Sequence, residues 1–90
     1  MEFEWDEAKR AANIEKHGID FLDAAIVFAG PYLTGTARTM EGETRWLAVG
    51  MLDDVPVTVI FTRRRGVIRL ISMRSARREE RRRYQAIFGG

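Results

Sequence analysis

The sequence contains no cysteine. Disulfide frameworks and thiolate metal sites are therefore excluded, and the redox compartment leaves no trace in the composition. It contains one histidine, so no two-imidazole acid–base pair can form and no metal-ligand spacing is present. No apolar stretch approaches the roughly 20 residues that span a bilayer, which argues against a membrane location. The N-terminus, MEFEWDEAKR, is acidic and lacks the basic start and apolar run of a secretory signal. A cytoplasmic protein is the default expectation. There is no glycine-rich phosphate loop, no internal repeat and no linker. Asp53-Asp54 reads as a turn, because adjacent side chains in an extended segment diverge too far to share a metal. No cofactor is implied.

What is present points elsewhere. Ninety residues suit one domain, 1–90, and 46% apolar content allows a modest core. The charge is unevenly placed. Through Thr62, five basic side chains face eleven acidic ones, a formal −6; from Arg63 on, ten arginines face two glutamates, a formal +8. The ten include no lysine. Basic patches attract polyanions through counterion release, and the planar guanidinium fork suits phosphate and stacks on bases.

The alternation of Phe3 and Trp5 with acidic residues suits a short strand, with Trp5 read as core. Asp6 reads as the N-cap of a helix that runs to Gly18, with Lys16 and His17 in the last turn. Asp20 opens a second helix with Phe21, Ala24, Ala25 and Phe28 on one side, stopped at Gly30-Pro31. Residues 44–52, 55–62 and 67–73 read as strands in an antiparallel meander. Val55, Val57, Val59 and Phe61 are assigned to the core side. The chain from Ser75 to Phe88 reads as a C-terminal helix. The fold class is α+β.

At about 100° per residue, Ala76, Glu80, Tyr84, Ile87 and Phe88 share one side of that last helix. Arg78, Arg82 and Gln85 lie opposite, with Arg77, Arg81 and Arg83 on the flanks. The bland reading of these arginines is a solvated face, with Glu79–Arg82, Glu79–Arg83 and Glu80–Arg83 pairs. Glu80, on the apolar stripe, needs a partner. A two-residue turn at Arg64-Arg65 sets Val59 opposite Leu70 and Phe61 opposite Ile68. That register puts Ser72 and Arg74 on the core face and Arg69 on the other. Arg74 then emerges near Glu80 and Tyr84, either as a structural bridge or as part of a reactive cluster.

The stretches "FEWDEAKRAANIEKHGIDFLDAAIVF", "GETRWLAVG", "FTRRRGVIRLISMRSA" and "EERRRYQ", in this order, resemble the BrnT family of toxins from type II toxin–antitoxin modules. The resemblance spans Phe3 to about Tyr84. It implies a compact RelE-like fold, RNA cleavage and growth arrest. It also implies neutralisation by a BrnA-like ribbon-helix-helix antitoxin, in a 2:2 heterotetramer that contacts DNA only through the antitoxin. The family's polar positions map onto Lys9, His17, Arg64, Arg74, Glu80 and Tyr84. Met73 departs from the small alanine common there, and Ser75 from the usual basic residue.

RNA carries its own nucleophile, the 2′-hydroxyl. A metal-independent ribonuclease must take its proton, steady the phosphate and protonate the leaving 5′ oxygen, giving a 2′,3′-cyclic phosphate. Arg64 and Arg74 suit the phosphate. Glu80 or His17 are the candidate bases, and His17 or Tyr84 the candidate acids. Lys9, Lys16, Arg63, Arg65, Arg77 and Arg81 are the candidate RNA contacts, and Trp5 and Trp46 offer stacking surfaces. The competing readings are a non-catalytic RNA- or ribosome-binding module, and an inactive toxin that only docks its antitoxin.

Overall fold

Asp6 adopts an extended conformation, and its carboxylate accepts from the Ala8 and Lys9 N–H groups. It thereby caps α1 (Glu7–His17). Gly18 ends α1 at φ 70°, in the left-handed region that glycine enters without a Cβ penalty. Asp20 caps a 3₁₀ turn (Phe21–Asp23), and α2 (Ala24–Ala29) follows directly. The strands are β1 (Glu2–Glu4), β2 (Leu33–Thr36), β3 (Trp46–Leu52), β4 (Val55–Arg64) and β5 (Val67–Ser75), and α3 (Arg78–Phe88) closes the chain. The computed structural model describes residues 1–39 and 41–89.

The strands form one five-stranded sheet in the order β1-β5-β4-β3-β2. The three central strands are the expected meander. The sheet is extended at both edges. β1 lies parallel to β5, with Glu4 beside Arg69. β2 pairs antiparallel with β3; this short LTGT strand did not stand out in the sequence. The last helix begins later than expected, at Arg78 rather than Ser75. β5 continues through Ser75, and the Ala76 N–H donates to the Pro56 carbonyl.

While α1 docks on β5, one face of the sheet packs against the 3₁₀ turn and α2. Its core comprises Phe21, Val27 and Phe28 against Val57, Val59, Phe61, Ile68, Leu70 and Met73. Phe28 is the hub, with ring centroids 5.6 Å from Phe3, 4.9 Å from Tyr32 and 5.5 Å from Phe61. Trp5 is half-buried, edge-on to Phe21 at 6.4 Å, with its indole N–H donated to Glu7. Val55 is not core: at the first position of β4 it is exposed. On the other face, Tyr84 of α3 and Ala76 just before it pack against Val49, Leu33, Leu47 and Met51.

The register of β4 and β5 differs from the expected one in two ways. The hairpin turn is Arg65-Gly66, at φ 52° and 80°, one residue later than Arg64-Arg65. Positive φ at both central positions gives the type I′ geometry that matches strand twist. A bulge follows. Ile60 pairs with Ser72 but Phe61 with Leu70, so Ile71 is an extra residue in β5. Before the bulge Ile68 and Leu70 face the core; after it Met73 does. Val59 therefore opposes Met73, and Phe61 opposes Leu70. Ser72 and Arg74 turn to the other face, together with Ile60 and Thr58, which corrects the core-face assignment made from strand parity. Arg69 lies on that second face, as the alternation indicated.

Candidate active site

Arg74 arrives on the second face opposite Thr58, under the first turn of α3. Its guanidinium forks onto Glu80, with Nη1–Oε1 at 2.7 Å and Nη2–Oε2 at 3.0 Å. Glu80 Oε1 also accepts from Thr58 Oγ1 at 2.9 Å and from the Arg77 N–H at 2.7 Å. The last bond caps α3, as a glutamate in the third helical position commonly does. The two side chains are 18% and 17% exposed. Arg74, then the Arg77 N–H and Thr58, hold the Glu80 carboxyl down at about 2. A carboxylate so stabilised is a weak base near neutral pH.

Asn13 joins α1 to the sheet beyond the end of β1. Its Nδ2 donates to the Met73 and Ile19 carbonyls, both at 2.9 Å, and its Oδ1 accepts from the Met73 N–H at 3.1 Å. The buried amide thus pairs with the unpartnered edge of β5 as another strand would. Ser72 Oγ also reaches Asn13 Oδ1, at 3.4 Å. This docking sets one side of α1 beside the second face of β5. Lys9, Ala12, Lys16 and His17 then line a notch of about 240 Å³ with Ile71 and Ser72. Ser72 and Arg74 share a face two residues apart, roughly 7 Å along the strand. Three of the sequence-derived candidates, Lys9, Lys16 and His17, are therefore brought together beside Ser72, two residues from Arg74 on β5.

Other candidates go elsewhere. Arg64 sits six β4 residues beyond Thr58, the partner of Arg74, or about 20 Å along the strand. Both arginines cannot grip one phosphate. Arg64 instead forks onto Glu43, from Nε at 2.9 Å and Nη2 at 3.2 Å. This pairing lowers the Glu43 pKa and raises that of Arg64. Arg63 projects on the core side, its guanidinium 5.0 Å from the Trp46 ring centroid and 5.8 Å from that of Phe61. Arg65 is a turn residue. The Tyr84 hydroxyl donates to the Pro31 carbonyl at 3.2 Å, and its ring lies 5.0 Å from Phe88. Tyr84 thus makes no hydrogen bond with Arg74 or Glu80. Arg77 is exposed, and Arg81 donates to the Ala76 carbonyl at 2.7 Å. Glu79 meets Arg82 at 3.8 Å and Arg83 at 3.9 Å, whereas Glu80 is taken by Arg74 rather than Arg83.

A cleft of about 640 Å³ is mostly apolar. It lies between β2–β3 and α3, with Leu33, Leu47, Val49 and Ile87 in its walls. Glu80 and Arg83 also line it, so the cleft borders the Arg74–Glu80 pair.

A family model described as the ribonuclease toxin BrnT of type II toxin–antitoxin systems matches residues 5–80. The chain belongs to the BrnT family. No curated protein matches it. BrnT membership makes it a ribonuclease toxin with an RNA target and an antitoxin partner. The BrnT match includes Lys9, His17, Arg64, Arg74 and Glu80, and ends before Tyr84.

Four residues at or beside these clusters received no role in the sequence reading: Asn13, Glu43, Thr58 and Ser72. Thr58 carried a signal, as a polar residue inside the apolar run VPVTVIFT. Asn13 and Glu43 stood within the stretches that carry the BrnT resemblance, but their partners lie 60 and 21 residues away in sequence.

Proposed function

We propose that this BrnT-family toxin cuts RNA at the junction of α1 and β5 without a metal. The observation that carries the reading is the Arg74–Glu80 fork on the same sheet face as Ser72, next to the notch lined by Lys9, Lys16 and His17. In this reading Arg74 takes the scissile phosphate, and Glu80 holds the guanidinium in place as a positioning residue. Lys9 and Lys16 draw in the flanking backbone. The 2′ oxygen attacks phosphorus and the bond to the 5′ oxygen breaks, leaving a 2′,3′-cyclic phosphate. The 2′ proton must leave and the 5′ oxygen must gain one; His17 serves one end of that transfer. The bonds already made by Glu80 disfavour it as base, and the Pro31 bond of Tyr84 assigns that residue to packing.

The product of this activity would be arrested translation and growth in the cytoplasm, relieved by a BrnA-like ribbon-helix-helix antitoxin in a 2:2 complex. The apolar walls and exposed Ile87 of the large cleft suit protein rather than RNA.

The test incubates purified protein with a defined RNA in the presence of EDTA. Wild type, Arg74→Ala and His17→Ala are compared after circular dichroism shows equal folding. Cleavage with a 2′,3′-cyclic end, lowered by about 10²–10⁴ in each variant, is expected. Cleavage that needs a divalent ion, or that survives both substitutions, would overturn the assignment. RNA binding without cleavage would favour the non-catalytic reading.

A further inference from the structure

The second face of β4 carries an arrangement that the cleavage site does not use. Thr62 lies two residues before Arg64 and directly across from Arg69. It is 1% exposed. Its hydroxyl oxygen is buried and makes no well-formed hydrogen bond among the described residues; the Glu43 carboxylate is its neighbouring acceptor, and a weak bond from Thr62 helps lower the Glu43 pKa. A poorly paired buried hydroxyl is unfavourable unless something else completes it.

Both arginines around Thr62 hold carboxylates. Arg64 forks onto Glu43, and Arg69 meets Glu4 at 3.3 Å. The Arg64–Glu43 pair is open to solvent, its side chains 52% and 37% exposed. Exposed pairs of this kind contribute little to folding and exchange partners readily. Glu43 follows Glu41 and Gly42, at φ 52° and 74°, in a turn outside the sheet's long strands. Two parallel N–H donors from one guanidinium are also the geometry that receives a phosphate.

We propose that Arg64, Arg69 and Thr62 form a second phosphate subsite for the RNA backbone, and that the Glu43 carboxylate fills it in the free protein and withdraws when a phosphate enters. The inference rests on the RNA-cutting reading above. Arg69 lies across from Thr62, four β4 residues from the partner of Arg74, so the subsite is about 13 Å from the cleavage point along the strand. An RNA of several nucleotides reaches both; a dinucleotide does not. Glu43 thus biases the toxin toward longer chains, and the hydroxyl of Thr62 exchanges its weak contact with the carboxylate for the phosphate.

The experiment measures anisotropy of a labelled 2′-O-methyl RNA 12-mer, which binds but cannot be cut, on the full chain. Wild type, Glu43→Gln, Arg64→Ala and the double variant are titrated over a range of salt. Glu43→Gln is expected to tighten binding several-fold, and Arg64→Ala to weaken it and lower the salt slope by about 1. The double variant should show no gain from Glu43→Gln. A 2′-O-methyl dinucleotide should bind wild type and Glu43→Gln alike, and millimolar inorganic phosphate should erase the 12-mer gain if the subsite takes any phosphate. If wild type binds RNA but Glu43→Gln changes nothing, or its gain persists without Arg64, the subsite is overturned while the cleavage reading stands. If wild type binds no RNA, both fall.

Discussion

Replacing Glu80 by glutamine removes the charge from the fork beneath α3 while keeping its shape. The folded protein holds this carboxyl at about 2, against an ordinary 4.5, chiefly through Arg74. That difference corresponds to about 3 kcal/mol of stability near neutral pH. Because the folded pKa is the lower one, the contribution is complete above the ordinary carboxyl range and is lost as pH falls from about 5 toward 2. At about pH 3, roughly 2 of those 3 kcal/mol are gone. The substitution also strands a guanidinium that is only 18% exposed, which adds to the cost at every pH. Urea unfolding followed by circular dichroism tests this directly. Near pH 7 the variant should unfold at a midpoint lower by about 1–2 M, for a typical slope of a domain this size. Near pH 3 the gap between the two proteins should shrink by about 2 kcal/mol. The carboxyls of Asp20 and Glu43, also lowered by arginines, are present in both proteins and cancel from the comparison. A gap of equal size at both pH values would refute the claim that Arg74 holds an ionised Glu80.

Three further outcomes follow from the packing. Asn13→Ala leaves the Met73 N–H and two carbonyls without their buried partner and should cost about 2–4 kcal/mol in urea unfolding; a loss below about 1 kcal/mol would mean that water replaces the amide. Gly50→Ala places a Cβ 2.9 Å from Val27 Cγ1 and 3.3 Å from Tyr32 Cβ, so overpacking should lower stability by about 1–3 kcal/mol, and an unchanged melting curve would show that α2 can shift. Tyr84→Phe removes only the bond to Pro31; it should cost about 1 kcal/mol and leave the RNA cleavage rate unchanged, whereas a large fall in rate with normal folding would return Tyr84 to the proton-transfer chemistry.

Local signals made much of the architecture readable. Asp6 and Gly18 delimit α1 because capping needs only a side chain and a dihedral, both set within a few residues. The alternation in 55–62 and the turn before Val67 indicated a hairpin for the same reason, although the turn is Arg65-Gly66, one residue later than expected. The two edge strands were less legible. β1 reveals nothing of its parallel pairing with β5 in its own three residues, and LTGT is too short for its period to stand out. Within the candidate site, the sequence supplied the residue types, the charge asymmetry and the resemblance to BrnT. It also indicated that Glu80 would need an arginine.

The sequence by itself determined the ends of α1, the three central strands, the basic last third and the family. Which face Arg74 occupies was decided only by the tertiary structure. Strand alternation is a local rule, and one extra residue reverses it. Ile71 is that residue: the core accepts Leu70 and Met73 together, and Asn13 pairs with the backbone of Met73. Arg74 therefore turns outward to meet Glu80 beside the notch of α1. The distance between Arg64 and Arg74 was likewise invisible until the register was fixed, because spacing along a sheet is set by pairing rather than by separation in sequence.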